Sequence, residues 1–213
     1  MKIDFQAAIL GLIDIQPTFM PGGELPVPDG DAIVPVVNRL FGRFGDAFAT
    51  QDWHAPNHAS FASAHPLKQP YDTIEMPYGT QILWPDHAIA GTPNAAIHPA
   101  IDQRPIEVII RKGFRPDLDS YSAFFENDRR TPTGLEGWLR QREIRSLFLC
   151  GLATDFCVAW SAQDAARLGF SVTIVQDACR GIGLPDPGGQ TTIDTARRLL
   201  TEMDVTFVNS DEL

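Results

Sequence analysis

The chain has 213 residues, enough to enclose one full core and short for two, and its 44% hydrophobic and 21% charged residues are the balance of a water-soluble globular protein. Its 17 lysines and arginines stand against 27 acidic residues, a net charge of −10 with no basic cluster, which argues against nucleic acid or an anionic membrane surface as partner. The three cysteines, Cys150, Cys157 and Cys179, form no C-x-x-C pair and no dense framework, which fits a reducing, cytoplasmic setting.

The N-terminal stretch "MKIDFQAAILGLIDIQ" holds a short apolar run that ends at Asp14 and lacks a small-residue cleavage site. It reads as a buried strand over Ala8–Ile13 rather than a signal peptide or membrane span. A helical pattern follows near Ala32–Phe44 and a second strand at Ala47–Gln51. Residues 52–101 break the rhythm: they are rich in proline and hold all five histidines, four of them before His98, with no convincing helix. A connection of that length inside a compact unit is usually functional, and its aromatic and apolar content predicts the ordered wall of a site. Beyond it come a strand at Glu107–Ile110, a helix at Gly134–Gln141, a strand at Ser146–Cys150 and a helix at Cys157–Leu168. A strand at Ser171–Val175, a helix at Thr191–Glu202 and a strand at Val205–Val208 complete the series. The closing "SDEL" resembles a retention signal, and without an entry signal it is read as chance.

Strands such as "AILGLI", "EVII" and "SLFLC" are continuously apolar, as expected where helices cover both faces. The alternation predicts an α/β fold: a doubly wound, mostly parallel sheet in a single domain spanning residues 1–213.

In such sheets ligands bind beyond the carboxyl ends of the strands. Asp14 falls just past the first strand, Lys112 past the third and Cys157 past the fourth, so the three are expected to converge on one rim. Lys112 is one of only three lysines in the chain. A lysine there acts as a compact point charge beside a carboxylate and a thiol. Cys157 opens a helix, where unpaired N–H groups and the helix dipole favour the thiolate, so its pKa is expected below neutrality. Asp14 can take the thiol proton and return it to a leaving amine. Cys150 and Cys179, the latter read as a loop residue, lack that setting.

"QDWHAPNH" places Asp52 and His54 two residues apart on one side of an extended chain, and "LWPDHAIAGT" supplies His87. One carboxylate and two imidazoles suit zinc, iron or manganese with open positions. His58, His65 and His98 are further histidines, and the pattern alone leaves His58 open as a ligand.

Taken together, "GLIDIQPTF", "TQDWHAPNHASFAS", "LWPDHAIAGT", "IRKGFRPDLDSYSAFFEN", "GLATDFCVAW" and "LGFSVTIVQDACRG" resemble, in order and over nearly the whole chain, the isochorismatase-like cysteine hydrolases. The D-W-H and W-P-x-H pair narrows the likeness to the nicotinamidase branch of that superfamily. The resemblance implies a six-stranded parallel sheet and an Asp14–Lys112–Cys157 triad. It implies one divalent metal on Asp52, His54 and His87, zinc first with iron or manganese as alternatives, and Ser60 as a secondary ligand or water holder. It also implies a cis peptide before Ala153, with the N–H groups of Ala153 and Cys157 as the oxyanion site. Phe19, Trp84 and Ala153 match positions around a pyridine ring, with Tyr121 a secondary match. The implied reaction is hydrolysis of nicotinamide to nicotinate and ammonia, serving NAD salvage, with pyrazinamide as a second substrate. The implied partner is a small amide, and assembly into a homo-oligomer is left open.

Two departures from the branch stand out: Pro17 and Thr18 replace a polar pair after the first strand, and Ala88 replaces a cysteine after His87. Neither position belongs to the triad or the metal set. The nearest rival is a sister amidohydrolase for maleamate, biuret or N-carbamoylsarcosine. A non-haem iron oxygenase also uses two histidines and a carboxylate, but it sits in an all-β barrel. A third rival is a binding protein without turnover.

Overall fold

The computed structural model describes residues 4–186 and 188–213, so the first three residues of the N-terminal stretch lie outside it. Its strands are β1 (Ala8–Ile13), β2 (Ala47–Asp52), β3 (Thr73–Met76), β4 (Gly79–Ile82), β5 (Ile106–Lys112), β6 (Ser146–Leu152), β7 (Ser171–Arg180), β8 (Pro185–Asp186), β9 (Gln190–Thr191) and β10 (Thr206–Val208). The helices are α1 (Val34–Leu40), α2 (Leu135–Gln141), α3 (Ala159–Arg167) and α4 (Thr192–Glu202).

Six strands form one sheet in the order β10-β7-β6-β1-β2-β5, and every pairing in it is parallel. The chain builds outward from β1 through β2 to β5, then returns to the other side of β1 for β6, β7 and β10. The order therefore reverses between β1 and β6, the point at which doubly wound sheets open a crevice beyond their carboxyl ends. β1, and β6 after Ser146, are apolar because they are central and covered, and Leu10, Ile13, Leu147 and Leu149 are fully buried. α4 is started by a reciprocal cap in which Thr191 Oγ1 accepts from Asp194 N at 3.2 Å and Asp194 Oδ2 accepts from Thr191 N at 2.9 Å.

Three expectations are corrected. β5 is not covered on both faces: it is the edge strand, it alternates in burial, and Ile109 is 44% exposed. Cys179 lies not in a loop but in β7, which runs to Arg180, with Cys179 registered opposite Gly151 of β6. The helical pattern read over residues 32–44 yields only the short α1, preceded by a tight turn over Gly30–Ile33. Within the long segment, β3 and β4 form an antiparallel hairpin that the sequence did not announce. Among the described residues no helix is long and apolar enough to cross a membrane.

Candidate active site

Three strand ends carry the charged core. Asp14 follows β1 with a left-handed φ of 47°, a conformation that costs energy for a non-glycine residue and recurs at functional sites. Thr50 of β2 holds it twice: Oγ1 donates to Asp14 Oδ1 at 2.6 Å and accepts from Asp14 N at 3.0 Å. Asp52 and Lys112 end β2 and β5 as register partners. Gln16 clips the main chain at Asp52, accepting from its N–H at 2.8 Å and donating to its carbonyl at 2.9 Å.

Lys112 is fully buried, and its ammonium is the hub. Nζ stands 2.7 Å from Asp14 Oδ2, an ion-pair contact set off the hydrogen-bonding direction. It donates to Asp52 Oδ1, to the Ser120 carbonyl at 3.1 Å and to Cys157 Sγ at 3.3 Å. One cation between two carboxylates and a thiol satisfies groups that would each be costly to bury alone.

β6 crosses close beside β1 at Gly151, where an added Cβ would lie 2.0 Å from the Ile13 carbonyl. The chain then passes the cis Leu152–Ala153 peptide and winds one wide turn over Thr154–Val158 into α3. Cys157 sits in that turn, 6% exposed. The Ser161 hydroxyl fastens the turn, donating to the Cys157 carbonyl at 2.6 Å and accepting from Ala123 N at 2.9 Å.

The electrostatics overturn one expectation. Burial pushes the Cys157 thiol well above its ordinary pKa, and Asp14 and Asp52 add to this against the pull of Lys112. The helix start does not create a resting thiolate, because burial and two carboxylates outweigh one ammonium. Burial also raises Asp14, to about 6, with Lys112 opposing and Asp52 reinforcing. Burial works against charge on Lys112 too, but Asp14, Asp52 and Cys157 hold its pKa well above the usual value. Burial likewise opposes ionisation of Asp52, and the Lys112 ammonium outweighs it and keeps it anionic. The resting site near neutrality is thus thiol, carboxylates and ammonium.

Donor atoms of Asp52, His54 and His87 lie within 4.8 Å of one another, all buried. His87 is bonded at Nδ1 to the Pro85 carbonyl (2.8 Å), leaving Nε2 unprotonated 3.5 Å from Asp52 Oδ2. His54 Nδ1 is buried with no partner. An orphaned imidazole nitrogen beside a carboxylate and a second free imidazole nitrogen fits a divalent cation. His58 is used at both nitrogens, Nε2 by the Arg115 carbonyl (2.7 Å) and Nδ1 by Ser60 (2.8 Å to Oγ). Ser60 therefore sits against His58, whose ring centroid is 4.7 Å from that of His54. His65 bonds the Ala59 carbonyl, and His98 accepts from Ala100 N at the surface.

Above these groups opens a narrow cavity walled by Phe19, Leu25, Trp84, Tyr121, Phe156 and Ile182, and lined also by Asp52, His54, His87, Asp119, Ala153 and Cys157. Trp84 stands edge-on to Phe156 at 4.9 Å and donates through Nε1 to the Tyr121 hydroxyl at 2.9 Å. Tyr121 thus buttresses Trp84 as well as lining the cavity.

Four supporting residues escaped the sequence reading: Gln16, Thr50, Asp119 and Asp155. Asp155 accepts from Ile182 N at 3.0 Å and Gly183 N at 2.8 Å, holding Ile182 over the cavity. The two departures noted above meet: the Thr18 hydroxyl accepts from Ala88 N at 3.1 Å, and Ala88 has a left-handed φ of 46° directly after His87.

A doubly wound parallel sheet bearing a buried thiol, carboxylate and ammonium at its carboxyl edge is the framework of a hydrolytic enzyme of α/β architecture. Residues 7–199 match the isochorismatase domain, and the chain belongs to that family of hydrolases. It is 50% identical over 173 residues, 81% of each chain, to the nicotinamidase of Acinetobacter baylyi. Its fold superposes on a nicotinamidase pyrazinamidase of Acinetobacter baumanii with a TM-score of 0.92 at 46% identity, covering 97% of this chain and 98% of that one. It also matches the pyrazinamidase of Pyrococcus horikoshii, solved in complex with zinc, with a TM-score of 0.74 at 32% identity over 95% of this chain and 99% of that one.

Proposed function

We propose that this protein is a nicotinamide amidohydrolase working through a thioester on Cys157. The observation that carries the proposal is Cys157 Sγ, 3.3 Å from a buried ammonium, on the floor of a narrow aromatic-walled cavity that also reaches Asp52, His54 and His87. Sequence identity of 50% to a nicotinamidase supports the substrate.

The flat ring enters between Phe19 and Trp84, which sets the carboxamide carbon over Sγ and lowers the entropic part of the barrier. As sulfur attacks that carbon, its proton passes to Asp14, which begins as the carboxylate. The oxyanion is received by the N–H groups of Ala153 and Cys157, each such donor typically contributing about 3 kcal/mol. Asp14 then protonates the amide nitrogen, the C–N bond breaks, ammonia leaves and a thioester remains. Water, deprotonated by Asp14, attacks the thioester, nicotinate departs and the thiol is restored. Lys112 steadies negative charge on Asp14 and sulfur throughout.

Asp52, His54 and His87 would hold one divalent ion, zinc in this reading with iron or manganese as alternatives, supplying a Lewis-acid anchor for a heterocyclic nitrogen. The zinc complex of the related pyrazinamidase supports that choice. Pyrazinamide keeps the ring shape and carboxamide, so it fits the same slot, and the name of the Acinetobacter baumanii relative supports it as a second substrate. We place the activity in NAD salvage, in the cytoplasm, with a small amide as partner and without nucleic acid or membrane. Ammonia release measured across nicotinamide, pyrazinamide, maleamate, biuret and N-carbamoylsarcosine tests the reading. Turnover confined to the two heteroaromatic amides is expected; preference for an aliphatic amide would assign the chain to a sister activity.

A further inference from the structure

Asp119 is 2% exposed, and its Oδ1 lies 3.0 Å from His54 Nε2. Three donors converge on this carboxylate: the His54 ring, Ser120 N at 2.9 Å to Oδ1, and Gln81 Nε2 at 3.0 Å to Oδ2. With both oxygens accepting, the carboxylate is fixed in place. The same edge of the His54 ring is seated on Gly113, where an added Cβ would lie 2.7 Å from Nε2. Backbone and carboxylate thus bear on the same edge of this ring.

A neutral imidazole carries one proton. A carboxylate at Nε2 requires it there, which leaves the lone pair on Nδ1, the nitrogen that is buried with no partner. Asp119, His54 and His58 also cluster closely enough to suggest a second ligand set. Both His58 nitrogens are already engaged, so Asp119 in that set serves His54 rather than an ion.

The geometry points to Asp119 as the positioning residue of the metal centre, fixing His54 as the Nε2–H tautomer so that Nδ1 is the ligand atom. This rests on the metal reading proposed above. It adds that the dipeptide Asp119–Ser120 orients both halves of the site, since the Ser120 carbonyl also receives Lys112 Nζ. Carboxylates behind metal-bound histidines typically account for about ten- to a hundredfold in metal affinity.

The test uses zinc affinity and the His54 proton position, neither of which depends on turnover. Asp119→Asn and Asp119→Ala are compared with the parent protein by competition against a chromophoric chelator, with circular dichroism as the fold control. Zinc dissociation constants about ten- to a hundredfold higher in folded variants are expected. In the zinc-loaded parent, ¹⁵N-histidine spectra are expected to show the His54 proton on Nε2. Zinc affinity within twofold of the parent in a folded variant, or a His54 proton on Nδ1, would overturn the assignment alone. Should both variants fail to fold, the proton position in the parent still decides. A parent protein that binds no stoichiometric zinc would remove the metal reading and this inference with it.

Discussion

Lys112 Nζ and Asp14 Oδ2 stand 2.7 Å apart although β2 lies between the strands that carry them. The long lysine stem reaches past that strand, whose last residue, Asp52, also holds the ammonium. Removing it leaves two buried carboxylates facing each other without a counter-charge. Lys112→Ala should therefore lose all measurable turnover and about 3–5 kcal/mol of stability, the usual consequence of breaking a buried ion pair from one side. Denaturant unfolding followed by circular dichroism checks the second figure; a stability unchanged within 1 kcal/mol would mean that the ammonium is not what neutralises this cluster.

The pH dependence follows from Asp14, whose pKa is raised by burial to about 6. The proposed chemistry needs its carboxylate, so kcat/KM should fall about tenfold per unit of pH below about 6. A carboxyl group with a raised pKa binds its proton more tightly in the folded chain than in the unfolded one. Through the window from about 6 down to its ordinary value, this group therefore makes the fold more stable on acidification. The rate should drop while the melting temperature does not fall on account of Asp14. Stopped-time ammonia assays beside thermal melts at matched pH distinguish the two.

Thr18 and Ala88 lie seventy residues apart in sequence and share one hydrogen bond in the site wall. Thr18→Val keeps the shape and removes the acceptor, leaving the Ala88 N–H buried and unpaired. A cost of about 1–3 kcal/mol is expected. Because Ala88 directly follows His87, weaker zinc retention should accompany it. A melting temperature equal to that of the parent would show that the contact is dispensable.

Much of this was legible in the sequence because apolar runs mark strands, and the residues just past a strand mark a sheet's working edge. That logic places Asp14, Asp52, Lys112 and Cys157 at that edge. It failed where no period exists. Asp119 sits in an irregular loop with nothing to distinguish it from a turn residue, and Gln16 and Thr50 act through hydrogen bonds to the main chain. The β3–β4 hairpin is short and half exposed, and β7 continues through the polar Gln176 and Asp177, which in sequence look like the start of a loop before Cys179. The sense of the Cys157 shift was missed for a different reason. A helix start can be read from a sequence, but burial and the number of carboxylates around a thiol cannot.

Metal removal gives a further test. Dialysis against a strong chelator should abolish hydrolysis, and one equivalent of zinc should restore it, because Asp52, His54 and His87 bring donor atoms within 4.8 Å of one another. Full activity in a preparation shown to be metal-free would leave the orphaned His54 nitrogen without that explanation.

The most direct measurement is mass spectrometry of the intact protein, quenched in acid during turnover of nicotinamide. The account predicts a species heavier by one nicotinoyl group, mapped by proteolysis to Cys157 and absent from Cys157→Ala. Turnover at the parental rate in Cys157→Ala, or an acyl group carried on another residue, would contradict it.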